Sequence, residues 1–201
     1  NGGTLSLGTV GAAGTTFDNA LSVQGNSVLE HTPATNDTLG GPVTIAAGQT
    51  LAADIIDGSL RVTGSLSGGT GSILDKTGEG TLTLAGQVTL SSAPVLTAGK
   101  LALHNTATGG GGNSIAGPIV VPTWTTLEAR TNALGTTGVT LDGGTLTLTV
   151  PDTGLTSEYY SVTNPPDPNP ANFADLTTLN AHLATLRSEE RRVGKECRSR
   201  W

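Results

Sequence analysis

The chain has 201 residues, a formal net charge of −6, 29 glycines, a single cysteine, no methionine and 3% aromatic residues. That length allows one or two domains, and the shortage of large side chains means that any interior is built from Leu, Val, Ile and Ala in many thin layers. No apolar run approaches the ~20 residues of a membrane span, and no signal peptide opens the chain.

Charge is unevenly placed. The last fifteen residues, "RSEERRVGKECRSRW", hold six of the ten bases and the only cysteine, Cys197. Residues 1–186 hold thirteen acids against four bases: Arg61, Lys76, Lys100 and Arg130. Four bases cannot neutralise a run of phosphates, which argues against nucleic acid as a partner.

In chain order, the opening "NGGTLSLGT" already lies inside a repeating phrase, so the N-terminus reads as a cut through a longer pattern. The phrase is Gly, then alternating Thr and aliphatic, then Gly or Asn. It returns as "GSLRVTGSLSG" (58–68), "GEGTLTLAG" (78–86), "GKLALHN" (99–105) and "DGGTLTLTV" (142–150). Strict alternation over four to six residues predicts strands with one buried face. Leu5, Leu7, Leu82, Leu84, Leu146 and Leu148 should point inward. Thr4, Ser6, Thr81, Thr83, Thr145 and Thr147 should point to water. Gly and Asn at the strand ends supply the positive φ of tight corners. Residues 11–57 are looser, with more Ala and Asn.

Leu60, Leu82 and Leu101 follow one another at nearly equal steps, and Leu127 and Leu146 repeat the interval. A period of roughly 20 residues predicts one coil of a solenoid per repeat, with about seven coils and strands ~4.8 Å apart. Each coil buries its apolar face only against its neighbours, so the first and last coils should expose strand edges.

The stretch "LDKTGEGTLTLAGQVTLSSAPVLTAGKLALHN" (74–105) resembles the passenger-associated repeat of autotransporter-type proteins. Lys76, Thr77, Gly78, Gly80, Thr81, Leu82 and Leu84 match its Lys-Thr-Gly-x-Gly-Thr-Leu-x-Leu phrase, and Gly99, Leu101 and Leu103 match its echo. "ALGTTGVTLDGGTLTL" (133–148) is similar to another phrase of these repeats. The resemblance implies an all-β chain, a right-handed parallel β-helix in a secreted or surface-displayed bacterial protein, over residues 1–153. It implies no catalytic activity.

After residue 150 the character changes. Gly154-Leu155-Thr156-Ser157-Glu158-Tyr159-Tyr160 resembles the opening strand of the protective-antigen and flocculin-lectin β-sandwich family, whose members bind glycans. Residues 154–186 would then begin a second, incomplete β domain, with a proline-fixed loop (164–170) and a short amphipathic helix on Phe173, Leu176, Leu179 and Leu183. Read back into codons, residues 187–201 resemble a sequencing adapter at every position, so this tail is set aside as non-native.

Chemistry-bearing motifs are few. Gly112-Asn113-Ser114-Ile115-Ala116 approaches a nucleophile elbow, but it follows a glycine run rather than a strand feeding a helix. "GGTGSILDK" (68–76) approaches a calcium-roll nonapeptide, but Ile73 occupies the ligand position. His31, His104 and His182 lie in separate contexts, so no shared metal site is expected. No cofactor is implied. Asp54 and Asp57, with Arg61 nearby, are the one constellation that could serve a β-helical polysaccharide lyase or hydrolase, since such sites pair carboxylates with a cation. Paired Asp more commonly solvate a turn. The expected function is therefore structural and adhesive: a non-enzymatic extracellular or outer-surface stalk displaying a carbohydrate-binding domain. Its partners would be extracellular glycans or other surface proteins, with membrane contact only through parts outside this chain. The lyase or hydrolase stands as the alternative.

Overall fold

A computed structural model describes residues 2–8, 14–105, 113–130, 133–149 and 156–157. The chain divides into two units, 1–161 and 162–201. All described residues belong to the first, so the expected helix at 173–183, most of the expected sandwich strand, and the tail lie outside them.

Short strands follow one another around successive coils. The first coil holds β1 (Thr4–Leu7), β2 (Thr16–Phe17) and β3 (Leu21–Val23). The second holds β4 (Ser27–His31), β5 (Asn36–Leu39) and β6 (Val43–Ile45), and the third β7 (Thr50–Ile55), β8 (Ser59–Val62) and β9 (Leu66–Gly68). Next come β10 (Ile73–Thr77), β11 (Thr81–Leu84) and β12 (Val88–Leu90), then β13 (Val95–Leu96), β14 (Gly99–Leu103) and β15 (Ser114–Ile115). The last turns hold β16 (Ile119–Pro122), β17 (Thr125–Arg130), β18 (Val139–Asp142) and β19 (Thr145–Thr149), followed by β20 (Thr156–Ser157).

Strands three apart in the chain pair in parallel as far as β15, beyond which β14 pairs with β17, β16 with β18 and β17 with β19. The first sheet runs β1-β4-β7-β10-β13, the second β2-β5-β8-β11-β14-β17-β19, and the third β3-β6-β9-β12-β15, while β16 and β18 pair separately. Among the described strands only β20 is antiparallel, against Leu148 and Thr149 of β19. The fold is a parallel β-solenoid of about six turns, all-β and without helix among the described residues. It falls one turn short of the expected seven because the early coils and the coil from Leu101 to Leu127 are longer than the interval assumed. Thr4 pairs with Val28 and Ser27 with Leu51, and both steps exceed the leucine interval read from the later repeats.

The leucine phasing read from the sequence is the ladder itself. Leu60 pairs with Leu82, Leu82 with Leu101, Leu101 with Leu127, and Leu127 with Leu146. Leu60, Leu101 and Leu127 are wholly buried, and side chains from all three sheets join one aliphatic interior. Burying each such leucine contributes about 1.5–3 kcal/mol.

Leu7, Leu82 and Leu84 point inward and are buried, and Leu146 and Leu148 are half-buried against the core. Leu5 shares their orientation but stays 42% exposed, because it sits in the first coil and only Leu29 of the next strand stacks on it. Thr83 departs from expectation. Its register is outward, yet it is buried, in the row it shares with Arg61 and Ala102.

Glycine has two distinct jobs at the corners. Gly78, between the first and second sheets, has φ +72° and takes the left-handed backbone that the sequence suggested. Gly64, between the second and third, does not. A Cβ there would lie 2.1 Å from the carbonyl oxygen of Gly41 in the coil below, and one on Gly86 would lie as close to Gly64. That pile of glycines exists for close approach of stacked backbones.

Polar groups inside the solenoid are satisfied in place. Lys76, at the head of the repeat phrase, is fully buried, and its ammonium donates to the carbonyls of Thr77 (2.6 Å), Gly78 (2.7 Å) and Ala98 (3.2 Å). The side chain thus ties one corner to the next coil's corner. In the looser early coils, buried His31 faces the Asp37 carboxylate at 2.9 Å and the Asp57 carbonyl at 3.1 Å. Asp37 also accepts from the Thr15 amide and the Thr35 hydroxyl. Between later coils, the Asn113 side chain accepts from the Val88 amide and donates to the Ala133 carbonyl.

Candidate binding face

In a parallel solenoid, outward residues of successive coils stack into rows about 4.8 Å apart. A side chain's neighbours are therefore fixed by coil length, not by sequence proximity. Asp54 stands outward on β7 in the first sheet and accepts a hydrogen bond from the Thr77 hydroxyl at 3.0 Å. Asp57 lies in the exposed corner after β7, where its carboxylate accepts from the Gly58 amide. Arg61 stands outward on β8 in the second sheet. The two carboxylates and the guanidinium are thus spread over one sheet, a corner and the next sheet, and do not share a face.

Charge is segregated between those faces. The first sheet's outer face carries Glu30, Asp54 and Asp75, with hydroxyl partners from Ser6, Thr77 and Thr97 at 2.8–3.1 Å. The second sheet's outer face carries Arg61 on β8, Lys100 on β14 and Arg130 on β17. With Lys76 inside, these are all the remaining bases of residues 1–186.

Glu128 on β17 is the acid among them. Lys100 and His104 each pair with one of its oxygens. Burial pushes the Glu128 carboxyl up, but the hydrogen bonds from Lys100 and His104 outweigh this and hold it below its usual value. Burial pulls His104 down. The Glu128 contact opposes that pull, while the charges of Arg130 and Arg61 reinforce it, and the net shift is downward. Because an ionised carboxylate only accepts, the ring nitrogen facing Glu128, Nε2, is the donor, and the buried Nδ1 has no hydrogen-bond partner.

At the edge of this face is Trp124, in the corner between β16 and β17. It is 92% exposed and is the one described non-glycine residue with positive φ, +68°. Every other described residue with that backbone is a glycine, and a bulky side chain there is strained. Gly99 pairs with Thr125, directly after Trp124, so the Trp124 backbone lies beside the corner that leads into β14, the strand that bears Lys100.

Sequence reading singled out Arg61 but not Lys100, Glu128, Arg130 or Trp124 as a group. The missing quantity was the step from Leu101 to Leu127, which is longer than the leucine steps before and after it. Once that step is known, Lys100 falls opposite Thr126 and Ala102 opposite Glu128. Ser114 is exposed on β15, and the strand leads into no helix, so no nucleophile elbow forms. Among the described residues no three His, Cys, Asp or Glu side chains gather as metal ligands. His31 is inside the solenoid and His104 on its outer face, while His182 and Cys197 lie outside the described residues.

No family profile, curated protein or solved structure matches the chain.

Proposed function

We propose that the chain is a non-catalytic, structural and adhesive segment of a secreted or surface-displayed bacterial protein of the autotransporter passenger type. It acts as a stalk that carries the carbohydrate-binding sandwich begun at residues 154–186. The observation that carries this reading is the unbroken leucine ladder from Leu60 to Leu146. Load along such a rod is shared by parallel backbone ladders in three sheets, and each coil leans only on its neighbours. The resemblance of residues 74–105 to passenger repeats supports the same reading, as does the dispersal of Asp54, Asp57 and Arg61.

Single-molecule extension of the full chain tests it. A stalk should give way coil by coil, each coil of roughly 22 residues releasing about 75 Å of chain. One cooperative rupture without steps would count against the stalk, and release of sugar products from pectin or other uronate polymers would establish the enzymatic alternative.

A further inference from the structure

We propose that the outer face of the second sheet, from Arg61 to Arg130 with Trp124 at its edge, binds an acidic polysaccharide whose ring carboxylates carry the charge. The inference rests on the adhesive reading above and assigns it a place.

Three features converge there. First, cations are concentrated on this face and acids on the adjoining one, so a polyanion is drawn to the second sheet and repelled from the first. Second, the cations are sparse. Arg61 and Arg130 are three strands apart, about 14 Å, and the Lys100 between them is already paired with Glu128. Duplex nucleic acid carries a charge every ~1.7 Å and needs far denser cations, whereas a sugar polymer carries at most a few charges over the same length. Arginine forks suit carboxylates, which they bind through two parallel N–H bonds. Third, Trp124 holds a broad apolar ring in water on a strained backbone. An indole of this kind offers a flat platform with a polar N–H, matched to the apolar face and hydroxyl rim of a sugar. A lipid surface would want several apolar anchors on one face. Here Thr83 and Ala102, in the middle of the face, are buried, and the remaining neighbouring outward positions are the threonines Thr81, Thr126 and Thr147.

Affinity electrophoresis of the full chain through gels containing polygalacturonate, a sulfated dextran or neutral dextran tests the proposal. Polygalacturonate should retard the protein and neutral dextran should not. Arg61→Gln with Arg130→Gln should weaken retardation about ten-fold or more, as expected for lost charge-assisted hydrogen bonds. Trp124→Ala should weaken it several-fold, and all variants should keep the parent's β-sheet circular dichroism. Three results would overturn the proposal: no retardation of the folded parent by polygalacturonate, equal or stronger retardation by the sulfated polymer, or retardation undiminished in the variants. None of these touches the stalk, whose stepwise extension is read independently.

Discussion

The ammonium of Lys76 reaches across a coil boundary and donates to the Ala98 carbonyl at 3.2 Å, while also holding Thr77 and Gly78 of its own corner. A charge buried this completely is tolerated because all three of its protons have acceptors. The repeat phrase that begins with this lysine therefore has a mechanical content: it fastens coil to coil where no side-chain core can reach.

Lys76→Met keeps the aliphatic stem and removes the donors, which should cost about 1–3 kcal/mol at neutral pH. Burial pulls Lys76 down to about 8, against the pull of Asp54, Glu79 and Asp75. Between about 8 and its ordinary value of 10.5 the unfolded chain holds more protons than the folded one. Lys76's contribution to stability should therefore rise with pH across that window. Urea melts at pH 7.5 and 10 should show this rise in the parent and its loss in Lys76→Met. An identical pH response in both would refute the assignment.

Asp37 behaves in the opposite direction. Its burial is outweighed by hydrogen bonds from the Thr15 amide, His31 and Thr35, so its carboxyl is held below its ordinary value of 3.8. Its stabilisation is complete above that ordinary value and is lost as pH falls through the lower folded one. Asp37→Asn should cost about 1–3 kcal/mol at pH 6, because it disrupts the buried carboxylate that meets the Thr15 amide, the Thr35 hydroxyl and the His31 ring. The gap between parent and variant should narrow in acid, as seen by chemical denaturation at pH 6 and pH 3.

Two glycine substitutions separate crowding from backbone strain. Gly64→Ala drives a methyl into the Gly41 carbonyl and should cost about 3 kcal/mol or prevent the coils from stacking. Gly48→Ala meets nothing within 4 Å and has only its φ of +70° to overcome, for about 1 kcal/mol. Thermal melts that rank the two equally, or in reverse order, would contradict the backbone-pile account.

Position along the solenoid should grade the leucine ladder. Leu101 has a leucine above and below it and no exposure, so Leu101→Ala should cost about 3 kcal/mol or more. Leu146, half-buried in the last turn, should lose about half as much on the same change. Equal losses would mean that the last turn is as tightly packed as the middle.

The sequence alone determined that this protein is a stack of short parallel strands. A leucine returning at a near-constant interval between threonines leaves each coil one face that only another coil can cover, so Leu60, Leu82 and Leu101 had to align. What it could not supply was the length of every coil. The long step from Leu101 to Leu127 decides that Lys100, His104 and Glu128 meet, because a shift of even one residue would turn each of them to the other face. The same holds at the corners. A glycine looks alike in sequence whether it serves φ, as Gly48 does, contact, as Gly64 does, or both, as Gly78 does, and only the neighbouring coil's backbone tells them apart. Periodicity is local and survives in the chain as written, whereas the outer face is a product of register, which exists only once the coils are stacked.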